Sequence, residues 1–372
     1  MKIAVLRERK AGEARVAATP DTVKKFVALG CQVAIESGAG KASAISDEQY
    51  AAAGATIDTD PCKDAGLLLA VNAPEKDVMM QLPEGMILAG MLNPHAGADQ
   101  LAAFNLKKLT SFSLELLPRI SRAQSMDVLS SQSNLAGYRA VIEAVSAFGK
   151  VVPMMMTAAG TVAPAKALIL GAGVAGLQAI ATARRLGAVV LAFDVRTAAK
   201  EQVESLGAKF VEVPSEEKGD AAGGYAREMS DDYKKKQSQL IHDTLKKMDL
   251  VISTALIPGR PAPVLITEDM VKDMKPGSVI VDLAAASGGN CPLTKPDKII
   301  EKHGVTLIGY TNLPARAGVD ASQLYARNLL SFVTTLLLAK DGKANVQWDD
   351  ELIKGTLLTR DGATVHPQFK GA

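Results

Sequence analysis

Short runs of uninterrupted apolar residues recur along the chain, separated by stretches in which apolar positions repeat every three or four residues. The short runs are typical of strands buried on both faces of a parallel sheet, and the longer period is typical of amphipathic helices. Between the first two runs, Thr19 followed by Pro20 predicts the start of a helix, and Gly30 predicts its end. The strand-like runs of the N-terminal third are residues 3–6, 33–35, 67–71 and 86–89.

A second series of such runs begins near residue 167. Strands that alternate with helices favour an α/β fold, in which helices cover both faces of a parallel sheet. The sequence therefore predicts two Rossmann-like, doubly wound parallel-sheet domains. The predicted strands of the second series are residues 167–170, 189–193, 210–213, 250–253, 279–281 and 305–308.

Two long helical patterns, at about residues 133–148 and 323–338, flank the second series. We interpret them as connectors between the two domains, with the C-terminal tail returning to the first domain, which is then discontinuous. The predicted N-terminal domain comprises residues 1–130 and 322–372. The predicted second domain comprises residues 131–321.

Composition narrows the class of protein. The 372 residues are 48% hydrophobic and 4% aromatic, and 42 basic side chains against 40 acidic ones leave a net charge of +2. This balance argues against a nucleic-acid partner, and the apolar fraction excludes a disordered chain. The N-terminus lacks a signal peptide and no apolar run reaches the roughly 20 residues that span a bilayer, so a soluble cytoplasmic protein is expected. The three cysteines and four histidines show no disulfide or metal-ligand spacing, so no metal is expected.

The strongest chemical signal is the run Gly-Ala-Gly-Val-Ala-Gly at residues 171–176, which follows a predicted strand and opens a predicted helix. In this context Gly171 makes the tight turn, and Gly173 lets the backbone approach a pyrophosphate. Gly176 allows the helix to pack closely on the strand. Because the N–H groups at a helix N-terminus favour phosphates, the sequence predicts a dinucleotide site here.

Asp194 ends the next predicted strand, roughly 20 residues further on, where the acid that binds the ribose belongs. A carboxylate there accepts hydrogen bonds from the 2′-hydroxyl and repels a 2′-phosphate, which favours NAD(H) over NADP(H). Arg196 lies close by in the sequence and weakens that preference.

Two further segments allow two interpretations each. The segment from Arg119 to Asp127 is dense in polar side chains and is either a solvated loop with a helix cap or a constellation that binds an amide, a ribose and a phosphate. Residues 214–236 are polar, rich in glycine and longer than a normal connection. They are either a solvated loop or a mobile lid with a tyrosine at its tip.

The run Pro-Arg-Ile-Ser-Arg-Ala-Gln-Ser-Met-Asp at residues 118–127, followed by Leu-Ser-Ser at 129–131, closely resembles the NAD(H)-binding component of proton-translocating NAD(P) transhydrogenase. The segments 134–140 and 254–259 resemble it too, and the resemblance spans essentially the whole chain. It implies direct hydride transfer between NADH and NADP⁺ held on a partner subunit. Such a transfer needs no general acid or base, only the positioning of the reacting carbons about 3–3.5 Å apart.

The resemblance also implies site residues. Arg119, Gln124 and Asp127 would position the nicotinamide, while Gly224 and Tyr225 would belong to a mobile loop. The full set implied to bind NAD(H) is Arg119, Gln124, Ser125, Met126, Asp127, Ser130, Gly171, Gly173, Val174, Ala175, Gly176, Asp194, Val195, Arg196, Gly224, Tyr225, Gln237 and Leu256.

The implied assembly is a homodimer that joins a membrane-spanning, proton-conducting subunit and an NADP(H)-binding subunit. The chain alone would then be inactive or nearly so, and it would attach to the cytoplasmic membrane through these partners. Proton translocation would reside in the membrane subunit.

Two alternatives remain at this point. Alanine dehydrogenase is a sibling family whose first domain carries the segment Lys-Val-Lys-Glu-Pro, whereas this chain has Ala-Val-Asn-Ala-Pro at residues 70–74. Ala70 also departs from the lysine that is usual in transhydrogenases. A non-catalytic module that senses NAD(H) would show the same glycine run.

Overall fold

The computed structural model describes residues 1–215, 217, 219, 229–257 and 259–370. The chain divides into two compact units. Unit 1 consists of Met1–Gln132 and Pro314–Ala372, and unit 2 consists of Ser133–Leu313.

The N-terminal portion of unit 1 alternates strands with helices. Helix α1 begins and ends where the sequence predicts, because the backbone N–H of Thr19 donates to Thr22 Oγ1 at 2.9 Å and Gly30 has a φ of +86°. The elements are β1 (Lys2–Val5), α1 (Pro20–Ala28), β2 (Gln32–Glu36), α2 (Asp47–Ala52), β3 (Thr56–Asp58), β4 (Leu67–Asn72), α3 (Lys76–Gln81), β5 (Ile87–Met91), α4 (Ala98–Leu106) and β6 (Thr110–Ser113).

Helix α5 (Val128–Ala147) carries the chain from unit 1 into unit 2. It starts before the predicted residue 133, since the carboxylate of Asp127 accepts the N–H of Ser130 at 2.9 Å and so caps the helix. Unit 2 continues with β7 (Met155–Thr157), β8 (Gly160–Val162), β9 (Lys166–Leu170), α6 (Val174–Arg185), β10 (Val189–Phe193), α7 (Ala199–Ser205), β11 (Lys209–Phe210), α8 (Asp231–Leu245), β12 (Leu250–Ser253), α9 (Glu268–Lys272), β13 (Val279–Asp282), β14 (Ile299–Lys302) and β15 (Val305–Ile308).

The chain then returns to unit 1 through a second long helix. This C-terminal portion contains α10 (Gly318–Leu336), α11 (Glu351–Thr356), β16 (Leu357–Arg360) and β17 (Ala363–Thr364). None of the helices in the described regions of the chain is long and apolar enough to cross a membrane.

Each unit is built on one large sheet with a doubly wound strand order. In unit 2 the order is β11-β10-β9-β12-β13-β15-β14, and in unit 1 it is β17-β16-β6-β5-β4-β1-β2-β3. Neighbouring strands run parallel except at one edge of each sheet, where β14 and the pair β16 and β17 are antiparallel. In both sheets the order reverses next to the first strand, and ligands bind at such a switch point, at the carboxyl ends of the strands. The predicted fold class is confirmed.

Both central sheets are covered on both faces, as uninterrupted apolar strands require. In β9, Ala167 and Ile169 belong to one hydrophobic cluster, while Leu168 and Leu170 belong to the cluster on the opposite face. Strands β3, β6, β7, β8, β14, β16 and β17 were not predicted, because they are short and most carry polar residues that break the apolar pattern.

Candidate functional site

The glycine run joins β9 to α6 at the switch point of unit 2. Gly171 has a φ of +97°, and a Cβ added there would lie 2.5 Å from Thr254 Oγ1. A Cβ added to Gly176 would lie only 1.8 Å from the carbonyl oxygen of Gly171, so the helix packs on the turn as the sequence predicts. In contrast, a Cβ added to Gly173 would meet no atom within 4 Å.

Gly173 is also the N-cap of the twelve-residue helix α6, with an extended backbone at ψ of −166°. The first N–H groups of a helix have no partner within the helix, and they carry positive potential. The open space at Gly173 therefore lies beside the free N–H groups and the positive potential of the helix N-terminus. Both suit the binding of a pyrophosphate. The residues present fit the phosphates of a dinucleotide. Val174, the next residue, is 42% exposed.

The loop after β12 is held against this turn. The hydroxyl of Thr254 donates to the carbonyl oxygens of Leu170 and Gly171, each at 3.1 Å. The exposed Leu256, one of the predicted site residues, follows two positions later.

Asn290 holds the same loop from the other side, and sequence reasoning missed it. Its side chain is fully buried, and its Oδ1 accepts the hydroxyl of Ser253 at 2.6 Å. Its Nδ2 donates to the carbonyl oxygens of Ala255 and Pro263, at 2.9 and 2.8 Å. A single asparagine after a pair of glycines gives no pattern that could have identified it.

The segment 134–140 supports the glycine run from helix α5. A Cβ added to Gly137 would lie 2.0 Å from the carbonyl oxygen of Ala175, so the two helices approach at backbone distance. Asn134 Nδ2 donates to Gln178 Oε1 on α6 at 3.4 Å. The residues that carry the family resemblance here therefore pack against the helix that begins at the predicted phosphate site.

Asp194 follows β10 and is bound to the glycine run. Its carboxylate accepts the N–H of Ala172 at 2.7 Å. The side chain of Arg196 forms an ion pair with it, with Nη2 at 2.7 Å. The half-buried Val195 lies between them in the sequence, and a Cβ added to Gly219 would lie 2.3 Å from its carbonyl oxygen.

The predicted loop 214–236 is too long at its C-terminal end. Helix α8 begins at Asp231, since Ser230 Oγ accepts the N–H of Tyr233 at 3.2 Å and two acidic residues occupy the first turn. Gln237 is thus a half-buried residue of this helix. The predicted Gly224 and Tyr225 lie outside the described residues.

In unit 1, the polar segment forms a 3₁₀ helix over Ser121–Met126 that leads into α5. Arg119 and Gln124 are exposed, whereas the side chain of Met126 is 3% exposed and packs in the core. The carboxylate of Asp127 accepts both the N–H and the hydroxyl of Ser130, at 2.9 and 2.5 Å.

Helix α10, about 200 residues further along the chain, anchors this segment. Ser125 Oγ lies 2.7 Å from Ser331 Oγ, and the carbonyl oxygen of Ser125 accepts Asn328 Nδ2 at 2.8 Å. A solvated loop with a helix cap and a ligand-binding constellation are therefore compatible interpretations of this segment. The capping and anchoring side chains hold it in place, while Arg119 and Gln124 stay exposed.

The stretch 70–74 in unit 1 lies beside buried charges but has no basic group of its own. Asn72 Nδ2 donates to one carboxylate oxygen of Glu8 and one of Glu13, each at 3.0 Å. Burial raises the pKa of Glu8. Burial also acts to raise the pKa of Glu13, but the guanidinium of Arg15, 2.6 Å away, lowers it to about 2. The side chain of Ala70 is buried and its carbonyl oxygen accepts the hydroxyl of Tyr325 at 2.7 Å.

The cysteines carry no reactive thiol. Cys31, Cys62 and Cys291 are free and buried, and burial raises the pKa of each, to about 12 for Cys62. Among the described residues, no group of three or more metal-ligating side chains is present.

Two family models cover nearly the whole chain. The model of the alanine dehydrogenase/PNT N-terminal domain matches residues 4–136, and the model of the C-terminal domain matches residues 140–367.

Individual proteins are similar over the same length. An NAD(P) transhydrogenase alpha-subunit chain of Rhodospirillum rubrum, named as the first of the parts into which that subunit is divided, is 53% identical over 100% of this chain and 99% of its own. The crystal structure of transhydrogenase from Sinorhizobium meliloti has a TM-score of 0.90 at 46% identity, covering 98% of this chain and 100% of that one. Alanine dehydrogenase of Halomonas elongata is more distant, at 29% identity over 97% of this chain and 94% of its own.

Proposed function

This chain belongs to the alanine dehydrogenase/PNT family, and we propose that it is the NAD(H)-binding subunit of a proton-translocating NAD(P) transhydrogenase. The observation that carries the proposal is the turn at the switch point of unit 2, where open space at Gly173 meets the start of α6. Identity of 53% to a transhydrogenase subunit over the full length supports the same assignment.

The proposed phosphate site consists of Gly171, Gly173, Val174, Ala175 and Gly176. Val174, Ala175 and Gly176, in the first turn of α6, would present backbone N–H groups to the pyrophosphate, and Gly173 leaves the approach open. Gly171, whose own N–H donates to the carbonyl oxygen of Phe193 at 2.8 Å, keeps the turn tight through its backbone contact with Gly176.

Asp194, Val195 and Arg196 form the proposed adenosine-ribose site, which makes NAD(H) the preferred nucleotide. Gln237 and Leu256 are proposed to line the same site. Gly224 and Tyr225 are proposed to belong to a loop that closes over the nucleotide.

At the nicotinamide end, we assign positioning roles to Arg119, Gln124 and Asp127, and contacts to Ser125, Met126 and Ser130. Bound NADH would supply a hydride to NADP⁺ on a partner subunit, and bound NAD⁺ would accept one from NADPH there. Since the side chain of Met126 is buried, its contact would be made by its backbone. None of these side chains has to gain or lose a proton, because hydride transfer between two nicotinamides needs no acid or base.

The proposed partners are an NADP(H)-binding subunit and a membrane-spanning, proton-conducting subunit, through which this chain attaches to the cytoplasmic membrane. The name of the Rhodospirillum rubrum relative, which describes an alpha subunit divided into parts, supports an assembly of several chains. Proton translocation would occur in the membrane subunit and be coupled to this chain through conformational change.

We also propose a homodimer. Strands β7 and β8 form a two-stranded sheet of their own, and all six of their residues are exposed. Met154 and Met156 are 60% and 78% exposed. An isolated hairpin with an apolar surface is marginal in water, so packing against a second copy would stabilise it. Replacing Met156 with lysine should then shift the sedimentation coefficient toward that of a monomer.

The test of the function is a reconstitution. The purified chain is mixed with NADH, with and without the NADP(H)-binding subunit of the same genome and NADP⁺, and nicotinamide absorbance is followed. Rapid transfer only in the presence of both supports the proposal. Turnover by the chain alone with pyruvate and ammonium would identify an alanine dehydrogenase, and NADH binding without transfer in any mixture would identify a sensing module.

A further inference from the structure

The carboxylate of Asp194 already accepts as many hydrogen bonds as it can hold. Oδ1 accepts the N–H and the Nε of Arg196, both at 2.9 Å. Oδ2 accepts the N–H of Ala172 and the Nη2 of Arg196, both at 2.7 Å. A carboxylate offers about four lone-pair positions, and protein donors take all of them. A ribose hydroxyl therefore has no acceptor left on Asp194 in this arrangement.

Two of the four donors can leave and two cannot. The N–H groups of Ala172 and Arg196 belong to the backbone of the two loops that end β9 and β10. In contrast, Nε and Nη2 sit on a flexible stem whose side chain is 22% exposed, and this side chain covers an Asp194 that is 7% exposed. The number of movable donors equals the number of hydroxyls on the ribose.

We propose that the Arg196 side chain is a built-in competitor for the ribose site of this chain. The 2′- and 3′-hydroxyls of NAD(H) replace Nε and Nη2 as donors to Asp194, and the guanidinium turns outward. This inference rests on the proposed function, because it requires NAD(H) to bind at unit 2. In this exchange, the Arg196 side chain lowers the affinity for NADH rather than raising it.

The same exchange sets the preference between the two nucleotides. The displaced guanidinium turns outward but stays tethered two residues from Asp194, within reach of a phosphate at the 2′ position of the ribose. For NADPH it offsets the repulsion between the 2′-phosphate and the carboxylate, whereas NADH carries nothing at that position for the cation to bind. Arg196 therefore narrows the preference for NADH that Asp194 creates.

The experiment measures the Kd of NADH and of NADPH for the full-length chain by nucleotide fluorescence. Arg196→Met keeps the stem but removes the donors and the charge. We expect NADH to bind up to about fivefold more tightly, because its ribose hydroxyls no longer compete with the guanidinium for Asp194. We expect the ratio of the NADPH Kd to the NADH Kd to rise by about tenfold. Arg196→Lys keeps the positive charge but lacks the planar guanidinium with its two donors, Nε and Nη2. It should tighten NADH binding and leave NADPH binding near normal.

The matched control is Lys200→Met, which removes the same charge from the neighbouring helix α7. Its Nζ pairs with the exposed Glu212 at 2.7 Å. Both Kd values should stay within about twofold of the parent. Thermal unfolding verifies that each variant is folded.

Weaker NADH binding in both Arg196 variants would overturn the exchange, since it would mean that the arginine holds the nucleotide. That outcome leaves the proposed function intact. If the parent chain and every variant bind neither nucleotide, the proposed function fails and the exchange fails with it.

Discussion

The two units share a doubly wound strand order but differ at the point where that order reverses. In unit 2, the carboxyl end of β9, next to β12, carries glycines and the open start of a helix. In unit 1, the carboxyl ends of β1 and β4 carry Glu8, whose carboxylate accepts the N–H groups of Val71 and Asn72 at 2.6 and 3.2 Å.

The difference shows that the fold supplies a place for a ligand, and the residues at that place decide whether a ligand can use it. Backbone donors at the switch point of unit 1 are already paired with a carboxylate of the chain itself. Those of α6 in unit 2 face open space at Gly173. The predictions below test this contrast. The chain offers a convenient probe of unit 1, because its single tryptophan, Trp348, lies there, and NADH fluorescence would report on the site proposed in unit 2.

The largest effect on NADH binding is expected from Gly176→Ala. The added methyl would lie 1.8 Å from the carbonyl oxygen of Gly171, so the turn and the helix must separate. We expect NADH binding to weaken by about a hundredfold or more, which is about 2.7 kcal/mol, and unit 2 to lose stability as well. NADH fluorescence titration and thermal unfolding measure the two effects.

Gly173→Ala is the control, because its methyl meets no protein atom. It should leave the unfolding temperature unchanged and weaken NADH binding by about tenfold, through the phosphates alone. Equal unfolding temperatures and equal affinities in the two variants would remove the distinction between the glycines.

Arg15→Met should destabilise unit 1 and leave the glycine turn of unit 2 intact. It leaves Glu13 buried and without its cation, which costs about 3–5 kcal/mol. Denaturant unfolding followed by Trp348 fluorescence measures this loss. Lys108→Met breaks the exposed pair with Glu84 in the same unit and should cost less than about 1 kcal/mol. Similar losses of unfolding free energy in the two variants would show that the buried pair contributes no more to stability than the exposed pair.

Acid should destabilise unit 1 through the same pair. The pKa of Glu13 falls from its usual 4.5 to about 2 on folding. Its stabilising contribution, about 3 kcal/mol, is therefore fully present above pH 4.5 and is lost as the pH falls toward 2. The raised pKa of Glu8 works in the opposite direction, because protonation of that group favours the folded state.

Unfolding at about pH 5 and about pH 3, in the parent and in Glu13→Gln, separates the two groups. The parent should lose stability over this interval, and the variant should lose less of it. A variant with the same pH dependence as the parent would assign the acid sensitivity to other carboxylates.

The effect expected from Gln124→Ala is on hydride transfer and not on NADH binding. We expect hydride transfer in the reconstituted complex to slow by about ten- to a hundredfold, while NADH affinity stays near normal, because the side chain would align the nicotinamide rings. Arg122→Met, two residues away, breaks an exposed pair with Asp350 and should change neither quantity. A loss of affinity without a loss of rate would make Gln124 an anchoring residue.

The part of the site that could be predicted consists of residues close to one another in the sequence. Gly171, Gly173 and Gly176 act within one turn, and their distinct geometries follow from the spacing of the motif. Asp194 was identified by its distance from that motif. The predicted loop 214–236 overran the start of α8 at Asp231, because residues 230–236 are almost all polar and carry no apolar period.

The unpredicted portion depends on contacts between distant segments. Asn290 reaches back to Ser253 and Ala255, and Gly137 packs on Ala175 in a different helix. No sequence pattern near Asn290 or Gly137 indicates these contacts. The exchangeable pair of Asp194 and Arg196 also required coordinates, since only distances show that all four acceptor positions are taken.

The sequence by itself determined the fold class, most strands and the turn that suits a dinucleotide, because apolar period and glycine spacing act over a few residues. Tertiary structure alone decided which strands neighbour one another, and so which ends of the strands meet at a switch point. It also decided that Glu8 pairs with the backbone in unit 1 while Gly173 faces open space in unit 2. The physical reason is that hydrogen bonding and steric access depend on distances between residues far apart in the chain, which no local pattern encodes.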